Sequence, residues 1–275
     1  MSNRLRELYQ LKVEIEKSEN ETLVSQLNIA LEKEFNKNLT VSFMGQFSSG
    51  KSSLINFLLE DELLPSSPVP TTSQTVQIHM QDDLNPPRVF LTDNTYTELS
   101  SIEEVQLFNR QNYSFHRVEY FSNKGKLNHK ITIQDTPGID SINAIHDHHT
   151  KKYLLASDVV IVVADYNHVL SNVNLNMMKE LNKLNIPILL VISQIDKHNK
   201  DESIDLFMNT INSTLEQHEI NVENIVPVSI YDSKYNQMSK LVDQINYWSN
   251  QNQFDDLYAS RLKDNVFKEQ LNYLQ

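Results

Sequence analysis

The sequence predicts an α/β fold in which helices flank a central, mainly parallel sheet. The apolar runs 159–164 and 186–192 are far shorter than the roughly 20 residues of a membrane span, and they read as buried parallel strands. Helical patterns separate most of the strand-like segments, which is typical of a parallel sheet covered on both faces. Strands are predicted at 39–44, 75–80, 130–134, 158–164, 187–192 and 225–228.

Both ends of the chain carry helical patterns and predict an additional helical unit. We expect N-terminal helices at 1–36 with a break at 18–20, an α/β domain at 37–250, and a C-terminal helix at 251–275 that is still running where the sequence stops. Many acidic residues accompany the apolar stripes, which favours packing of the stripes against each other over binding to a membrane surface. The stripe residues are Leu8, Leu11, Ile15, Leu23, Leu27, Leu31, Phe35, Phe267, Leu271 and Leu274.

Composition narrows the class of protein. A chain of 275 residues with 39% hydrophobic content can bury a full core, and a net charge of −12 does not indicate a nucleic-acid partner. The absence of cysteine excludes disulfides and thiolate chemistry and fits a reducing compartment. Charged residues interrupt the N-terminal apolar residues, so no secretory signal is visible. We therefore expect a cytoplasmic protein.

Residues 45–52 read Gly-x-x-x-x-Gly-Lys-Ser between the first predicted strand and a helical pattern, as in a phosphate-binding loop (P-loop). Glycine at both ends lets the backbone wrap a triphosphate with its N–H groups inward. Lys51 supplies charge to the β- and γ-phosphates, Ser52 can ligate Mg²⁺, and the helix N-terminus adds partial positive charge. The predicted nucleotide-binding residues here are Gly45, Gln46, Phe47, Ser48, Ser49, Gly50, Lys51, Ser52 and Ser53.

A second phosphate-site motif, Asp135-Thr-Pro-Gly138, follows the predicted strand 130–134. Asp135 can hold Mg²⁺ through water, and the Gly138 N–H can sense a γ-phosphate. The Pro- and Ser-rich loop 64–73 is suited to ordering around that phosphate, and Thr72, or failing that Thr71, would complete the Mg²⁺ shell. The predicted metal ligands are therefore Ser52, Thr72 and Asp135.

The segment Ser193-Gln-Ile-Asp-Lys197 follows the fifth predicted strand and is the candidate base reader. An aspartate such as Asp196 can accept hydrogen bonds from the N1–H and N2–H₂ edge of guanine, which adenine does not present. Guanine-nucleotide proteins usually have Asn or Thr, then Lys, before this position, whereas Ser193 and Gln194 stand here. GTP is expected and ATP stays open. The predicted base-pocket residues are Gln194, Asp196, Lys197 and Ser229.

The order of these motifs resembles that of the dynamin superfamily of large GTPases, and within it the bacterial dynamin-like proteins. The resemblance covers roughly residues 35 to 235 and includes the long segment 81–129, which looks like the enlarged GTPase domain of that family. The terminal helices look like its neck. The residues that carry it are 45–56, Leu64-Pro65 leading to 70–72, 135–138, 157–160 and 193–197.

The resemblance implies self-association through the nucleotide faces, hydrolysis that this pairing stimulates, and work on membranes. Ser48 would help to hold a monovalent cation, K⁺ or Na⁺, and backbone groups near Thr72 and Gly138 would place the attacking water. The implied catalytic residues are thus Ser48, Lys51, Thr72 and Gly138. A complete family member continues into a stalk and a lipid-binding tip, so peripheral membrane contact is expected only through regions outside this chain.

Ile139 stands where small switch GTPases have the glutamine that orients water, and the phosphate loop has no arginine. Slow turnover by the monomer is therefore expected.

Two alternative functions stay open. One is a smaller switch GTPase, which segment 81–129 and the terminal helices disfavour, and the other is a nucleotide-gated interaction module with little hydrolysis. His146, His148 and His149 suggest a metal site or a general base, but their polar surroundings favour a solvated segment.

Overall fold

The computed structural model describes residues 3–64, 75–91, 95–101, 103–105, 107, 115–136, 148–198, 202–231, 233–251 and 254–274. Its strands are β1 (Leu39–Met44), β2 (Thr75–Met80), β3 (Arg88–Leu91), β4 (Tyr96–Glu98), β5 (Phe115–Ser122), β6 (Ile131–Asp135), β7 (Val159–Asp165), β8 (Ile188–Ser193) and β9 (Asn224–Pro227). The helices are α1 (Asn3–Glu16), α2 (Glu21–Asn36), α3 (Lys51–Leu59), α4 (His148–Leu155), α5 (Asn172–Lys183), α6 (Ile204–Gln217), α7 (Met238–Gln251) and α8 (Asp255–Leu274), with a 3₁₀ helix at Ile195–Lys197.

These strands form one sheet in the order β4-β3-β5-β2-β6-β1-β7-β8-β9. The half from β6 through β1 to β9 is parallel, β2 runs antiparallel to β6, and β3 runs antiparallel to β4 and β5. The predicted α/β fold with a mainly parallel, helix-flanked sheet is confirmed. All six predicted strands are present, two with the predicted bounds and four shifted by one residue.

The centre of the sheet is buried on both faces. Every residue of β1 and β8 is buried, and so is all of β7 except its last residue, Asp165. One apolar cluster includes Leu54 and Trp248 from α3 and α7, and the other includes Met178 and Ile211 from α5 and α6. Because the parallel strands end at the same edge of the sheet, the segments that follow β1, β6 and β8 meet there.

The terminal helices pack against each other through an apolar cluster. It contains Leu8, Ile15, Leu23, Leu27, Ala30, Tyr258, Leu262 and Val266. Three predicted stripe residues are wrong as core residues, because Phe35, Phe267 and Leu271 are 75%, 70% and 48% exposed. Helix α8 contacts its partners through residues spaced by four, so Phe267, one residue beyond Val266, lies about 100° away around the helix. Phe35 lies in the last turn of α2.

Two charge clusters attach α2 to the sheet, each with a buried member, Asp158 or Arg117. Lys33 Nζ lies 2.5 Å from Asp158 Oδ2, which also accepts a hydrogen bond from the Thr40 N–H at 2.8 Å. The Arg117 guanidinium donates to both carboxylate oxygens of Glu32, at 2.7 and 3.0 Å. No helix in the described ranges is long and apolar enough to cross a bilayer.

Candidate nucleotide site

The phosphate loop connects β1 to α3 and requires glycine at both ends. A Cβ on Gly45 would overlap the backbone carbonyl oxygen of Val163 and lie 2.8 Å from Ser49 Oγ. Gly50 has a φ of +86° and is the N-cap residue of α3, a conformation that favours glycine. Ser48 also has a positive φ, of +66°. The spacing of the two glycines thus reflects one close approach and one left-handed turn.

Lys51 and Asp135 form a little-exposed ion pair at this edge of the sheet. Lys51 Nζ lies 2.6 Å from Asp135 Oδ1, and each side chain is 11% exposed. Burial raises the pKa of the Asp135 carboxyl, and the neighbouring Lys51 ammonium opposes that rise. Lys51 opens α3, so its cation adds to the positive end of that helix. The arrangement can bind an anion that competes with Asp135 for the lysine.

Asp135 reaches the loop because β6 pairs with β1. Phe43 of β1 is in register with Asp135, and the next residue, Thr136, donates its hydroxyl to the Phe43 carbonyl at 2.9 Å. Thr136 therefore anchors the start of the Asp-Thr-Pro-Gly segment to the strand that leads into the phosphate loop. Sequence reasoning missed this role, since a threonine inside a turn motif gives no signal of its partner.

The other predicted loop residues lie close to the same edge. Ser52 and Ser53 are in the first turn of α3, while Phe47 and Ser48 are exposed. The Gln46 side-chain oxygen accepts a hydrogen bond from Ser171 Oγ at 3.2 Å. Ser49 is buried, and its hydroxyl oxygen has no hydrogen-bond partner within the described structure.

Ser193 connects the phosphate loop to the base-reading segment. Its hydroxyl donates to the Ser49 carbonyl at 2.5 Å and lies 3.3 Å from the Ala164 carbonyl. Gln194 has a left-handed φ of 60°, and its side-chain oxygen accepts a hydrogen bond from the Lys197 ammonium. The structure thus brings 45–53 and 193–197 together.

The Asp196 carboxylate is oriented by the segment that follows β9. Ser229 Oγ donates to Asp196 Oδ1 at 2.5 Å, so the two predicted base-pocket residues are in contact. Asn236, which sequence reasoning missed, accepts a hydrogen bond from the Ser229 N–H at 3.0 Å. Its one sequence signal is its position two residues before α7, where asparagine often satisfies helical N–H groups.

Several predicted residues lie outside the described residues. These are Thr71, Thr72, Gly138, Ile139 and His146, as are the side chains of His148 and His149. Of the predicted Mg²⁺ ligands, Ser52 and Asp135 are described and provide a hydroxyl and a carboxylate. Such hard oxygen donors suit Mg²⁺, which is held by one or two carboxylates together with substrate phosphates. The donor set present therefore fits the ion.

Comparison with known proteins identifies the family to which this chain belongs. The family model described as "Dynamin family" matches residues 41–196, more than half of the chain. "Dynamin-like protein A" of Bacillus subtilis (strain 168) is 30% identical over 201 residues, which are 72% of this chain and 16% of that protein. "Dynamin-like protein 1" of Campylobacter jejuni is 24% identical over 250 residues, 76% of this chain and 34% of that protein. The chain spans well under two thirds of the length of these relatives.

A solved structure of an oligomerised bacterial dynamin pair, described as providing a mechanism for the long range sensing and tethering of membranes, is similar in fold. Its TM-score is 0.63 at 18% identity, over 99% of this chain and 46% of that chain. At this identity the likeness shows the fold alone. The family match runs from β1 to Asp196 and includes the phosphate loop and Asp135. The chain therefore belongs to the dynamin family of GTPases.

Proposed function

We propose that this chain binds GTP together with Mg²⁺ and hydrolyses it to GDP and phosphate. The observation that carries the proposal is the 2.5 Å hydrogen bond from Ser193 to Ser49, because it joins a phosphate loop to a guanine-reading segment. A nucleotide needs both at once: an anion site for its phosphates and an aspartate for its base. Contacts at both ends position the reacting phosphate relative to water.

In the proposed mechanism, Lys51 exchanges the Asp135 carboxylate for oxygens of the β- and γ-phosphates. The exchange is supported by the raised pKa of Asp135, because burial already disfavours the charged carboxylate beside the lysine. Backbone N–H groups of 45–53 and the N-terminus of α3 add positive potential where charge develops. Ser52, Thr72 and Asp135 would hold Mg²⁺, which would supply positive charge to the β- and γ-phosphates.

We further propose that pairing of two chains through their nucleotide faces stimulates hydrolysis. Ile139 cannot polarise water, so water placement falls to backbone groups near Thr72 and Gly138, with Ser48 helping to hold K⁺ or Na⁺. The exposure of Ser48 leaves its hydroxyl accessible to a cation or a second chain. We propose membrane remodelling only for a longer protein that contains this domain. Such a protein would bind peripherally to the cytoplasmic membrane, and residues 1–36 and 251–275 would form part of its neck.

The test is phosphate release from GTP and from ATP with Mg²⁺ over a wide range of protein concentration. We expect a GTP preference and a rate per molecule that rises with concentration, because pairing completes the site. Turnover near background with GTP binding intact would instead indicate a nucleotide-gated interaction module, the alternative that Ile139 and the Ser193-Gln194 pair keep open. An ATP preference would overturn the base-reading assignment.

A further inference from the structure

Asn236 ties the segment after β9 to the beginning of α7. Its Oδ1 accepts hydrogen bonds from the N–H groups of Ser229, at 3.0 Å, and Met238, at 3.1 Å. Its Nδ2 donates to the carbonyl oxygens of Ser229, at 2.8 Å, and Tyr231, at 3.4 Å. One amide offers two donors and two acceptor sites, so these four bonds use its full capacity. Asn236 thus holds Ser229 by both its N–H and its carbonyl.

Ser229 transmits this constraint to Asp196. The Ser229 side chain is buried, donates to Asp196 Oδ1 at 2.5 Å and accepts a hydrogen bond from the Tyr231 N–H at 3.0 Å. Asp196 itself is exposed on a short 3₁₀ helix. An exposed carboxylate samples several rotamers unless a hydrogen bond selects one. The hydroxyl of Ser229 provides that bond, and Asn236 determines where the hydroxyl lies.

We propose that Asn236 is a positioning residue for base recognition: it fixes Ser229 so that the Asp196 carboxylate faces the N1–H and N2–H₂ edge of guanine. The inference rests on the proposed function, because it needs Asp196 to read the base. The four hydrogen bonds of the Asn236 side chain all join it to residues within 229–238, whereas other contacts, such as Ser193 to Ser49, hold the phosphate loop. A change at Asn236 should therefore alter base reading and spare phosphate binding.

GDP and IDP separate these two effects. Inosine keeps the N1–H of guanine and lacks its 2-amino group, so the ratio of the two affinities reports how well the Asp196 carboxylate meets that group. Phosphate contacts are common to both nucleotides and cancel in the ratio. A purely structural role of Asn236 would lower thermal stability and leave the ratio at its wild-type value.

The test is Asn236→Asp in the 275-residue chain, with the Kd values for GDP and IDP and the Tm as readouts. The change keeps the acceptors for Ser229 and Met238 and turns a donor into an oxygen that faces the carbonyls of Ser229 and Tyr231. We expect GDP affinity to fall about tenfold, the equivalent of one hydrogen bond, and IDP affinity to fall less. The GDP preference over IDP should shrink accordingly.

Asn246→Asp is the matched control. Asn246 lies within α7, and its side-chain amide likewise bonds to backbone groups: it accepts a hydrogen bond from the Asn128 N–H at 2.7 Å and donates one to the Lys126 carbonyl at 2.9 Å. It holds a loop that contains none of the proposed base-pocket residues, so we expect a lower Tm with an unchanged GDP-to-IDP ratio. If Asn236→Asp behaves in the same way, the positioning role is wrong.

Two further results complete the test. If Asn236→Asp does not fold, Asn236→Ser replaces it, because serine is neutral and lacks the two amide donors. The same fall in the preference for GDP over IDP is expected. A wild-type chain that binds GDP no more tightly than ADP overturns both the proposed function and this inference. A wild-type guanine preference with an unchanged ratio in both Asn236 variants overturns the inference alone.

Discussion

The Arg117 and Lys51 sites each hold a cation beside a buried carboxylate, and they differ in how completely the cation is surrounded. Arg117 contacts both oxygens of Glu32, lies 3.1 Å from Glu119 and stacks 3.8 Å from the centre of the Phe90 ring. Lys51, at the carboxyl edge of the sheet, has Asp135 as its ion-pair partner within the described part of the chain.

The difference indicates opposite roles. Protein groups on α2 and the outer strands surround the Arg117 cation, although its Nε has no hydrogen-bond partner in the described structure, so removing the cation would leave a buried carboxylate without its ion-pair partner. The Lys51 pair lies where glycine backbone and a helix N-terminus can receive an anion, so a ligand can replace the carboxylate. The surrounded Arg117 pair holds α2 to the sheet, and the exchangeable Lys51 pair serves binding. Removing each cation should therefore affect a different property.

The largest effect is expected from Arg117→Met. Glu119 is only 4% exposed as a side chain and would lose its guanidinium partner, which costs about 3–5 kcal/mol when one member of a buried pair is removed. Urea unfolding followed by circular dichroism measures the change in free energy of unfolding. GDP affinity of the folded protein should stay at the wild-type value.

Lys124→Met is the control for this change. Lys124 is 62% exposed as a side chain and pairs with Asp61, and exposed pairs contribute about 0–1 kcal/mol. Equal losses in the two variants would show that the Arg117 cluster is no more important to stability than a surface pair.

Lys51→Ala should lower GTP turnover by about 10²–10³-fold, the usual effect of removing one group that stabilises charge in the transition state. Its effect on the free energy of unfolding should be smaller than that of Arg117→Met. The pKa of Asp135 is already raised by burial, so the carboxyl can take up a proton once the lysine is gone. Steady-state phosphate release and urea unfolding measure the two properties.

Lys183→Ala provides a comparison for the charge change, since Lys183 is 69% exposed and pairs with Glu180 on the surface of α5. It should leave both turnover and stability near the wild-type values. Turnover by Lys51→Ala at the Lys183→Ala rate would remove Lys51 from the site.

A smaller effect is expected from pH at the Arg117 cluster. Burial acts to raise the pKa of Glu119, but His79 and Arg117 beside it outweigh burial and hold that pKa below its ordinary value of 4.5. A lowered pKa contributes stability above the unfolded value, and this contribution is lost as the pH falls through the folded value. The stability gap between wild type and Arg117→Met should therefore narrow as the pH falls below about 4.5.

Glu119→Gln removes the titrating carboxyl and tests whether Glu119 causes this pH dependence. In the Glu119→Gln background, the stability difference that Arg117→Met causes should depend less on pH, because only the Glu32 carboxylate then remains as an ion-pair partner of Arg117. Urea unfolding at each pH measures this difference. The role of Glu119 would be contradicted if the difference in free energy of unfolding between wild type and Arg117→Met stayed constant from neutral pH to below about pH 4.5.

The sequence by itself determined the parts of this protein that depend on neighbouring residues. The glycines at 45 and 50 are needed by a turn of six residues, and six strands were placed within one residue of their observed bounds. Backbone geometry and periodicity act over a few residues, so a linear pattern records them. Asp196 and Ser229 were both predicted for the base pocket because each follows a strand of the parallel sheet, and the structure adds the hydrogen bond between them.

Only the tertiary structure decided which distant residues meet. Nothing in the sequence paired Arg117 with Glu32 or Lys33 with Asp158, because these residues are 85 and 125 positions apart and any carboxylate could have been the partner. The antiparallel position of β2 beside β6 and the exposure of Phe267 likewise depend on how the elements pack. Packing selects one partner among many residues of the same chemistry, and that selection is a property of the folded chain.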